Sequence, residues 1–223
     1  LIDLSTDETL LIHLGMSGKI LVSGSKMGNY FYEFSKSKKH DHVIFLLSDG
    51  TVVTYNDPRR FGAMDLANTK DLNNHKFLKR LGPEPLGNDF NSYYLKKKLS
   101  KKESPIKNVL LDQSLVAGLG NIYVCEALFM SGISPKKKAA KISKNKCEEL
   151  VKNIRTVLIS AIEAGGSSLK DFTDIQGNSG YFQFEFFVYG REKESCKTIN
   201  CESKIKRVSQ SGRSSFYCPS CQR

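Results

Sequence analysis

The stretch "CKTINCESKIKRVSQSGRSSFYCPSC", residues 196–221, contains four of the six cysteines of a 223-residue chain. They form a C-x4-C pair and a C-x2-C pair, separated by sixteen residues. Two close cysteine pairs at such a separation are typical of a tetrahedral Zn2+ site, because the turn within each pair directs two thiolates at one ion. The alternatives are two disulfides or four thiols without a role.

A metal would explain how so short a segment folds. About 30 residues cannot bury enough surface to be stable alone, so a bound ion would have to supply the stability. Four thiolates leave no open coordination position, and we therefore predict one zinc ion with a structural role. The predicted ligands are Cys196, Cys201, Cys218 and Cys221.

The residues around and between the cysteine pairs are basic. Residues 191–223 contain eight lysines and arginines against three glutamates. Arg213 lies beside glycine and serine, where a hairpin between the pairs would turn. This arginine is either a solvated charge or a side chain presented to phosphates. A stiffened two-stranded ribbon suits duplex DNA, whose major groove admits one.

The whole chain is strongly basic, with a formal net charge of +11. Such a charge favours a nucleic acid or another anionic partner. No apolar run approaches the roughly 18 residues that a membrane span requires, so we expect no membrane partner. The lysine-rich composition and the unpaired Cys125 and Cys147 favour a reducing cytoplasm. Because Leu1 is not methionine and opens inside a strand pattern, we expect further residues before it.

Short β-rich runs dominate residues 1–66 and predict part of a sandwich or barrel. The clearest is "LLSDGTVVTY" (46–55), in which Asp-Gly separates two apolar runs and predicts a hairpin. Further strands are predicted at 9–14, 19–24 and 29–34.

Helical patterns follow from about residue 68. A short helix is predicted to end at Gly82-Pro83. Another is predicted to start with Ser104 as cap and Pro105 at the first helical position. The remaining helical segments are 91–104, 121–133 and 143–166, with caps at Asn91 or Ser92 and at Ser143.

A glycine turn, "DQSLVAGLGNIYVCEALF" (112–129), lies between two of these helices. Gly118 and Gly120 permit a tight turn and close backbone approach. The N–H groups at the start of the next helix would form an anion site, where Asn121 caps the helix or reaches a phosphate. A plain helix connection explains the same pattern. A lysine cluster upstream, which includes Lys102 and Lys107, adds positive charge or is a solvated face.

Two further motifs, "HLGMSG" (13–18) and "NDPRRFGA" (56–63), each place a large apolar residue near glycine in a turn. Met16 and Phe61 either fill the core or insert into a base stack, as apolar wedges do in DNA-bending proteins. Arg59 and Arg60 are positioned beside Phe61 for a phosphate or for the edge of an orphaned base.

Together these motifs resemble one family, the bacterial formamidopyrimidine-DNA glycosylases, bifunctional repair enzymes with AP lyase activity that are also called 8-oxoguanine DNA glycosylases. The resemblance covers essentially all 223 residues. One departure is C-x4-C where C-x2-C is commoner. The motifs that carry it are "HLGMSG", "KHDHV", "NDPRRFGA", "LGPEPL", "LLDQSLVAGLGNIYVCEALF", "GGSSLKDF", "GYFQFEFFVYGRE" and "GRSSFYCPSCQ".

The resemblance implies an α+β multidomain fold. Residues 1–68 would be the remainder of an N-terminal β-sandwich catalytic domain. Residues 69–188 would form a helix-two-turn-helix DNA-binding domain, whose segment 174–183 resembles the family's flexible lid. Residues 189–223 would form a C-terminal β-hairpin zinc finger.

The resemblance also implies a reaction, the removal of oxidised purines (8-oxoguanine and formamidopyrimidines) in base-excision repair. The damaged base is flipped out of the duplex and a Schiff base forms with an N-terminal proline. That proline, an assisting glutamate and a lysine would all lie upstream of Leu1. A chain truncated in this way is expected to bind damaged double-stranded DNA, as a monomer in the cytoplasm near the nucleoid, but not to cleave it.

The family's DNA-handling residues match positions of this chain. Met16 resembles the residue that fills the gap left by the flipped nucleotide, Phe61 the wedge, and Arg59 the contact to the unpaired cytosine. Arg213 resembles the zinc-finger arginine that grips phosphates and is credited as proton donor in the δ elimination. DNA-backbone contacts are implied for His40, Lys102, Lys107 and Asn121.

Two other functions are compatible with the sequence. One is the sister enzyme endonuclease VIII, which prefers oxidised pyrimidines, although "NDPRRFGA" favours the purine enzyme. The other is a non-catalytic zinc DNA-binding protein.

Overall fold

The computed structural model describes residues 1–23, 38–166 and 186–223. Two compact units make up the chain, one formed by Leu1–Lys79 with Ala164–Gln183, the other by Arg80–Glu163 with Phe184–Arg223. The strand predicted at 29–34 and the lid predicted at 174–183 lie outside the described residues. Within the described ranges, no helix is long and apolar enough to cross a bilayer.

Among its described residues, the first unit has two small antiparallel sheets, ordered β1-β2-β6 and β3-β5-β4. Both carry the β-branched and aromatic residues that favour strands. The strands predicted at 9–14 and 19–24 are confirmed, whereas β6 is absent from the sequence prediction. The strands are β1 Ile2–Asp3, β2 Glu8–His13, β3 Lys19–Ser23, β4 Asp41–Leu46, β5 Val52–Asn56 and β6 Ala63–Asn68.

The predicted Asp-Gly hairpin joins β4 to β5. The amide of Leu47 donates to the Thr51 carbonyl at 2.9 Å, and the Asp49 carboxylate accepts from the Thr51 amide at 2.9 Å. Gly50 has φ +85°, in the left-handed region that glycine enters without strain. The hairpin prediction is therefore confirmed.

The second unit is mainly helical. Asn91 caps α1 by accepting from the Tyr94 amide at 2.9 Å, and the Ser143 hydroxyl oxygen accepts from the Lys146 amide at the start of α4. The shared core is formed by buried apolar side chains such as Leu95, Ile106 and Ile154. The helices are α1 Ser92–Leu99, α2 Ile106–Leu110, α3 Asn121–Met130 and α4 Lys144–Glu163.

Two local predictions are wrong. The short helix predicted before Gly82 is a 3-10 helix, Thr69–Asn74, after which the chain continues in turns. Helix α2 begins one residue later than predicted, because Pro105 forms an extended bridge with Lys138 at ψ 138°. Pro105 is therefore the residue before the helix, with no side-chain cap.

A hairpin of β7 Lys206–Gln210 and β8 Arg213–Tyr217 ends the second unit. Ser211 and Gly212 form its two-residue turn, with φ +48° and +73°. Two consecutive residues with positive φ give the turn type whose twist matches paired strands. The structure thus has the expected fold class, namely a β-rich N-terminal part, a helical part and a C-terminal hairpin.

Candidate nucleic-acid interface and metal centre

The four predicted ligand sulfurs lie together, with all their Sγ atoms within 4.8 Å of one another. Cys196 and Cys221 are 3.8 Å apart, and Cys201 and Cys218 are 3.7 Å apart. A tetrahedral zinc with Zn–S bonds of about 2.3 Å requires sulfurs about 3.8 Å apart. The cysteines are not joined in disulfides. The donor set and its spacing therefore fit one structural zinc.

The C-terminal segment 189–223, here called the cysteine module, packs on helix α3 through an apolar cluster that includes Phe129, Val188 and Phe216. A buried amide adds a polar connection, because the Gln222 side chain accepts from the Cys218 amide at 2.8 Å and donates to the Ile133 carbonyl at 2.8 Å. The module is thus fixed to the helical unit on both sides of its last cysteine pair.

Side chains of helices α2 and α3 hold the tip of the hairpin by hydrogen bonds. Lys107 Nζ donates to the Ser214 carbonyl at 3.0 Å, and Asn121 Nδ2 donates to the same oxygen at 3.1 Å. On the other side of the turn, Asn108 Nδ2 donates to the Ser211 hydroxyl at 2.9 Å. Arg213 lies between these two anchored residues and is exposed. The Arg213 guanidinium is thereby presented to solvent on a fixed backbone.

Lys107 is fully buried, in contrast to the ordinary surface position of a lysine. Burial lowers the pKa of its ammonium group, and the nearby charge of Arg213 acts in the same direction. Its hydrogen bond inside the protein supports the hairpin. The direct contact between Lys107 and a DNA phosphate stays a prediction.

Asn121 is the first residue of helix α3 but does not cap it, because Gly120 occupies the cap position. The side-chain amide of Asn121 instead donates to the hairpin. The preceding turn is held by Gln113, whose Oε1 accepts from the Gly118 amide at 2.8 Å and whose Nε2 donates to the Leu119 carbonyl at 3.2 Å. Gly118 has φ +71°, which explains the glycine there.

A buried carboxylate connects helix α3 to the start of the cysteine module. Glu126 is 2% exposed and accepts from three consecutive backbone amides, those of Phe187, Val188 and Tyr189, at 2.8 to 3.1 Å. Burial raises the pKa of Glu126, while these three hydrogen bonds oppose the shift. Glu126 is absent from the residues predicted from the sequence, although a lone acid within "NIYVCEALFM" was a detectable signal.

In the first unit, one buried carboxylate organises both predicted wedge loops. Asp57 accepts from the Ser17 hydroxyl at 2.7 Å, the Gly62 amide at 2.8 Å, the Tyr55 hydroxyl at 3.1 Å and the Arg59 amide at 3.2 Å. These hydrogen bonds, led by that of Gly62, hold the pKa of Asp57 far below its usual range. Asp57 lies within a quoted motif, but its role depends on partners that the sequence does not reveal.

The two loops meet closely and expose their apolar residues. A Cβ on Gly15 would lie 2.8 Å from the Phe61 backbone, so only glycine allows this approach. Met16 is 79% and Phe61 61% exposed, which makes core filling the wrong alternative for both. The Arg59 guanidinium lies 4.5 Å from the centre of the Phe61 ring. Two apolar side chains are therefore presented on adjoining loops, together with the exposed cations Arg59 and Arg60.

The remaining predicted DNA contacts have simpler surroundings. His40 is half-buried, and its carbonyl accepts from the Asp57 amide at 2.9 Å, which connects it to the same loop system. Lys102 is exposed, and its carbonyl accepts from the Ala140 amide at 2.9 Å. The structure thus groups Met16 with the Asp57 loop system in the first unit, and groups Lys107, Asn121 and Arg213 in the second.

Three family models match this chain in order. The formamidopyrimidine-DNA glycosylase N-terminal domain matches residues 1–64, and the formamidopyrimidine-DNA glycosylase H2TH domain matches residues 81–173. A zinc finger found in FPG and IleRS matches residues 194–223.

Curated relatives carry the same family name. Formamidopyrimidine-DNA glycosylase from Ruegeria pomeroyi is 56% identical over all of this chain and 79% of its own length. The protein of that name from Roseobacter denitrificans is also 56% identical, with the same coverage.

Solved structures agree. The Fpg protein of Lactococcus lactis, in a complex with DNA containing an abasic site, has a TM-score of 0.83 and 34% identity over 97% of this chain and 76% of its own. The MutM (FPG) protein from Thermus thermophilus has a TM-score of 0.84 and 34% identity over 99% of this chain and 77% of its own. The chain therefore belongs to the formamidopyrimidine-DNA glycosylase family.

Proposed function

We propose that this chain recognises oxidised purines in duplex DNA and holds the damaged nucleotide outside the base stack. The family is one of DNA glycosylases of base-excision repair, and related structures contain DNA with a Fapy-dG or an abasic site. The observation that carries the proposal is the pair of adjoining loops that expose Met16 and Phe61 beside Arg59.

The exposed apolar residues support base flipping. A flipped nucleotide leaves a void and costs a few kcal/mol of lost stacking and pairing. Met16 would fill that void and Phe61 would wedge the neighbouring step, as apolar side chains do in kinked DNA. Arg59, stacked on Phe61, would donate to the base left without a partner.

The second unit would supply the phosphate contacts. Arg213 is exposed at the tip of a hairpin whose backbone is fixed by Lys107 and Asn121. A guanidinium can bind a phosphate through two parallel hydrogen bonds. In the complete reaction Arg213 would also donate the proton of the δ elimination, as the family resemblance implies. His40 and Lys102 would add backbone contacts.

We further propose that the chain acts as a monomer in the bacterial cytoplasm near the nucleoid, with domains divided at about residues 68 and 188.

Binding to an abasic-site duplex tests the interface. Arg213→Ala should weaken the affinity about tenfold, through the loss of charge-assisted hydrogen bonds, and reduce the salt slope by about 1. Lys206→Ala is the matched control, because Lys206 is exposed on the same hairpin but away from its turn. Equal losses for the two variants would reduce Arg213 to a solvated charge.

Lesion preference tests the substrate class. We expect tighter binding to a duplex with 8-oxoguanine opposite cytosine than to one with thymine glycol opposite adenine. The reverse order would favour the endonuclease VIII type of specificity. Equal affinity for damaged and intact duplexes would favour a non-catalytic zinc DNA-binding protein.

A further inference from the structure

The turn between the first two cysteines, residues 196–201, is here called the first cysteine knuckle. It contains the hydroxyl of Thr198, which faces the metal site. Thr198 Oγ1 lies 3.4 Å from Cys196 Sγ and 3.5 Å from Cys221 Sγ. The two sulfurs belong to different cysteine pairs. The next residue, Ile199, is 88% exposed, so its side chain is turned toward solvent.

We propose that the Thr198 hydroxyl donates a hydrogen bond to the zinc-bound thiolates of Cys196 and Cys221 and so stabilises the metal centre. A thiolate bound to zinc has no proton and can only accept, whereas a threonine hydroxyl can donate. One Zn2+ with four thiolates carries a net charge of about −2, and donors placed at the sulfurs offset part of it. Thr198 is a positioning residue for the metal site, not a metal ligand.

The extra length of the knuckle is what places this hydroxyl. The C-x4-C spacing inserts four residues between Cys196 and Cys201, and the Cys201 amide closes a turn on the Thr198 carbonyl at 3.1 Å. Asn200 has φ +61°, a left-handed conformation that asparagine tolerates better than most residues. Thr198 is thereby held over the sulfurs by the path of the backbone.

The residue on the other side of Thr198 is anchored as well. Lys197 Nζ donates to the Phe186 carbonyl at 2.7 Å and lies 5.9 Å from the centre of the Phe187 ring. The knuckle is therefore attached at Lys197 to the chain segment that enters the module. This attachment limits the rotation of the knuckle and favours one position for the Thr198 hydroxyl.

The test compares zinc retention in matched variants of the whole chain. Thr198→Val keeps the shape and removes the hydroxyl, Thr198→Ser keeps the hydroxyl, and Ile199→Val is a control in the same knuckle. Zinc transfer to a chromophoric chelator should show an affinity about tenfold lower for Thr198→Val. This is the lower end of the effect of outer hydrogen bonds at metal sites, because the exposed position lets water replace part of the contact. Thr198→Ser and Ile199→Val should match the parent chain.

Cobalt substitution gives a second readout that depends on the sulfurs directly. The thiolate-to-cobalt charge-transfer band should shift to lower energy in Thr198→Val, because a thiolate without this hydrogen bond is the stronger electron donor. Thr198→Ser should restore the parent band. If Thr198→Val fails to fold, Thr198→Ala provides the same comparison with Thr198→Ser.

Two results would overturn the proposal. One is a Thr198→Val protein with the zinc affinity and cobalt spectrum of the parent chain. The other is a Thr198→Ser protein that resembles Thr198→Val, since a retained hydroxyl would then not be enough to keep the zinc bound. Neither readout involves DNA, so the outcome is independent of the proposed repair function.

Discussion

The loops of the first unit and the hairpin of the second both present exposed side chains, but they are held by different means. In the loops a single carboxylate, Asp57, accepts from four donors, of which three lie on the two wedge motifs and the fourth is the Tyr55 hydroxyl in β5. The hairpin is held by the four-cysteine site, by an apolar cluster and by separate hydrogen bonds from Lys107, Asn108 and Asn121. The loops therefore depend on one residue, whereas support of the hairpin is distributed.

This difference predicts which substitutions or losses the loops and the hairpin can each tolerate. A loop centred on one buried acceptor should fail when that acceptor is changed. A hairpin with many supports should tolerate the loss of any one hydrogen bond but not the loss of the metal, because the cysteine module is too small to fold alone.

Removal of zinc should have the largest effect. Without metal the cysteine module loses the folding energy that binding supplies, and Arg213 loses its fixed position. We expect affinity for an abasic-site duplex to fall at least about 100-fold, or about 2.7 kcal/mol, measured by fluorescence anisotropy after chelation. Added zinc should restore binding. Unchanged affinity after complete zinc removal would show that the hairpin does not depend on its metal.

The substitution Asp57→Asn should have the next largest effect. An amide replaces one acceptor oxygen by a donor, which leaves buried donors such as the Gly62 amide unsatisfied. We expect about 2.5 kcal/mol less stability in urea unfolding. Asp49→Asn is the matched control, since Asp49 also accepts from a backbone amide but is exposed. Similar losses in both variants would argue against a central role for Asp57.

Acid titration sharpens the same point. Because the folded-state pKa of Asp57 is lowered, its contribution is fully present above the unfolded pKa of about 3.9 and is lost as the pH falls toward the folded value. Between pH 8 and pH 5 this carboxylate should cause no change in stability. The loss below about pH 4 should be smaller in Asp57→Asn, and an identical acid profile in the two proteins would contradict the assignment.

Glu126→Gln should have an intermediate effect, because the connection it makes is one of several. Glutamine retains one acceptor oxygen but places an amino group against backbone amides, which costs about 2 kcal/mol of stability. Glu163→Gln, at an exposed position near the end of α4, is the control. Thermal unfolding measures both. A Glu126→Gln protein as stable as the control would show that the three amides find other acceptors.

Gly212→Ala should have the smallest effect. A Cβ at this position meets nothing within 4 Å, so only the positive φ of +73° opposes it, at a cost of about 1 kcal/mol. Ser209→Ala is the control, because Ser209 is exposed in β7 of the same hairpin and does not have a positive φ. The difference in their urea midpoints measures the backbone strain at the hairpin turn. No difference would mean that the turn relaxes.

Features with a local signature could be predicted from the sequence. The Asp-Gly hairpin, the Asn91 cap and the positive φ of Gly118 each depend on residues a few positions apart, and so does the spacing within each cysteine pair. In each of these cases the sequence motif and the residues that it contacts lie in the same short segment, so local sequence preferences are enough to predict the local structure.

Features that depend on distant partners could not be predicted. Glu126 binds amides more than sixty residues away, and Lys107 reaches a carbonyl 107 residues away. Lys107 has the sequence signature of a surface cation, yet tertiary packing buries it completely. The displaced start of α2 has the same cause, because Pro105 pairs with a residue more than thirty positions along the chain.

The hydrogen bonds that Glu126 accepts from three backbone amides also determine when helix α3 can pack during synthesis of the chain. Helix α3 leaves the ribosome before residues 187–189 have been made, so its carboxylate must remain hydrated and the helix cannot yet settle into an apolar environment. Final packing of α3 therefore waits for the first residues of the cysteine module. A nascent chain arrested before residue 187 should hold α3 in a form that proteases reach readily.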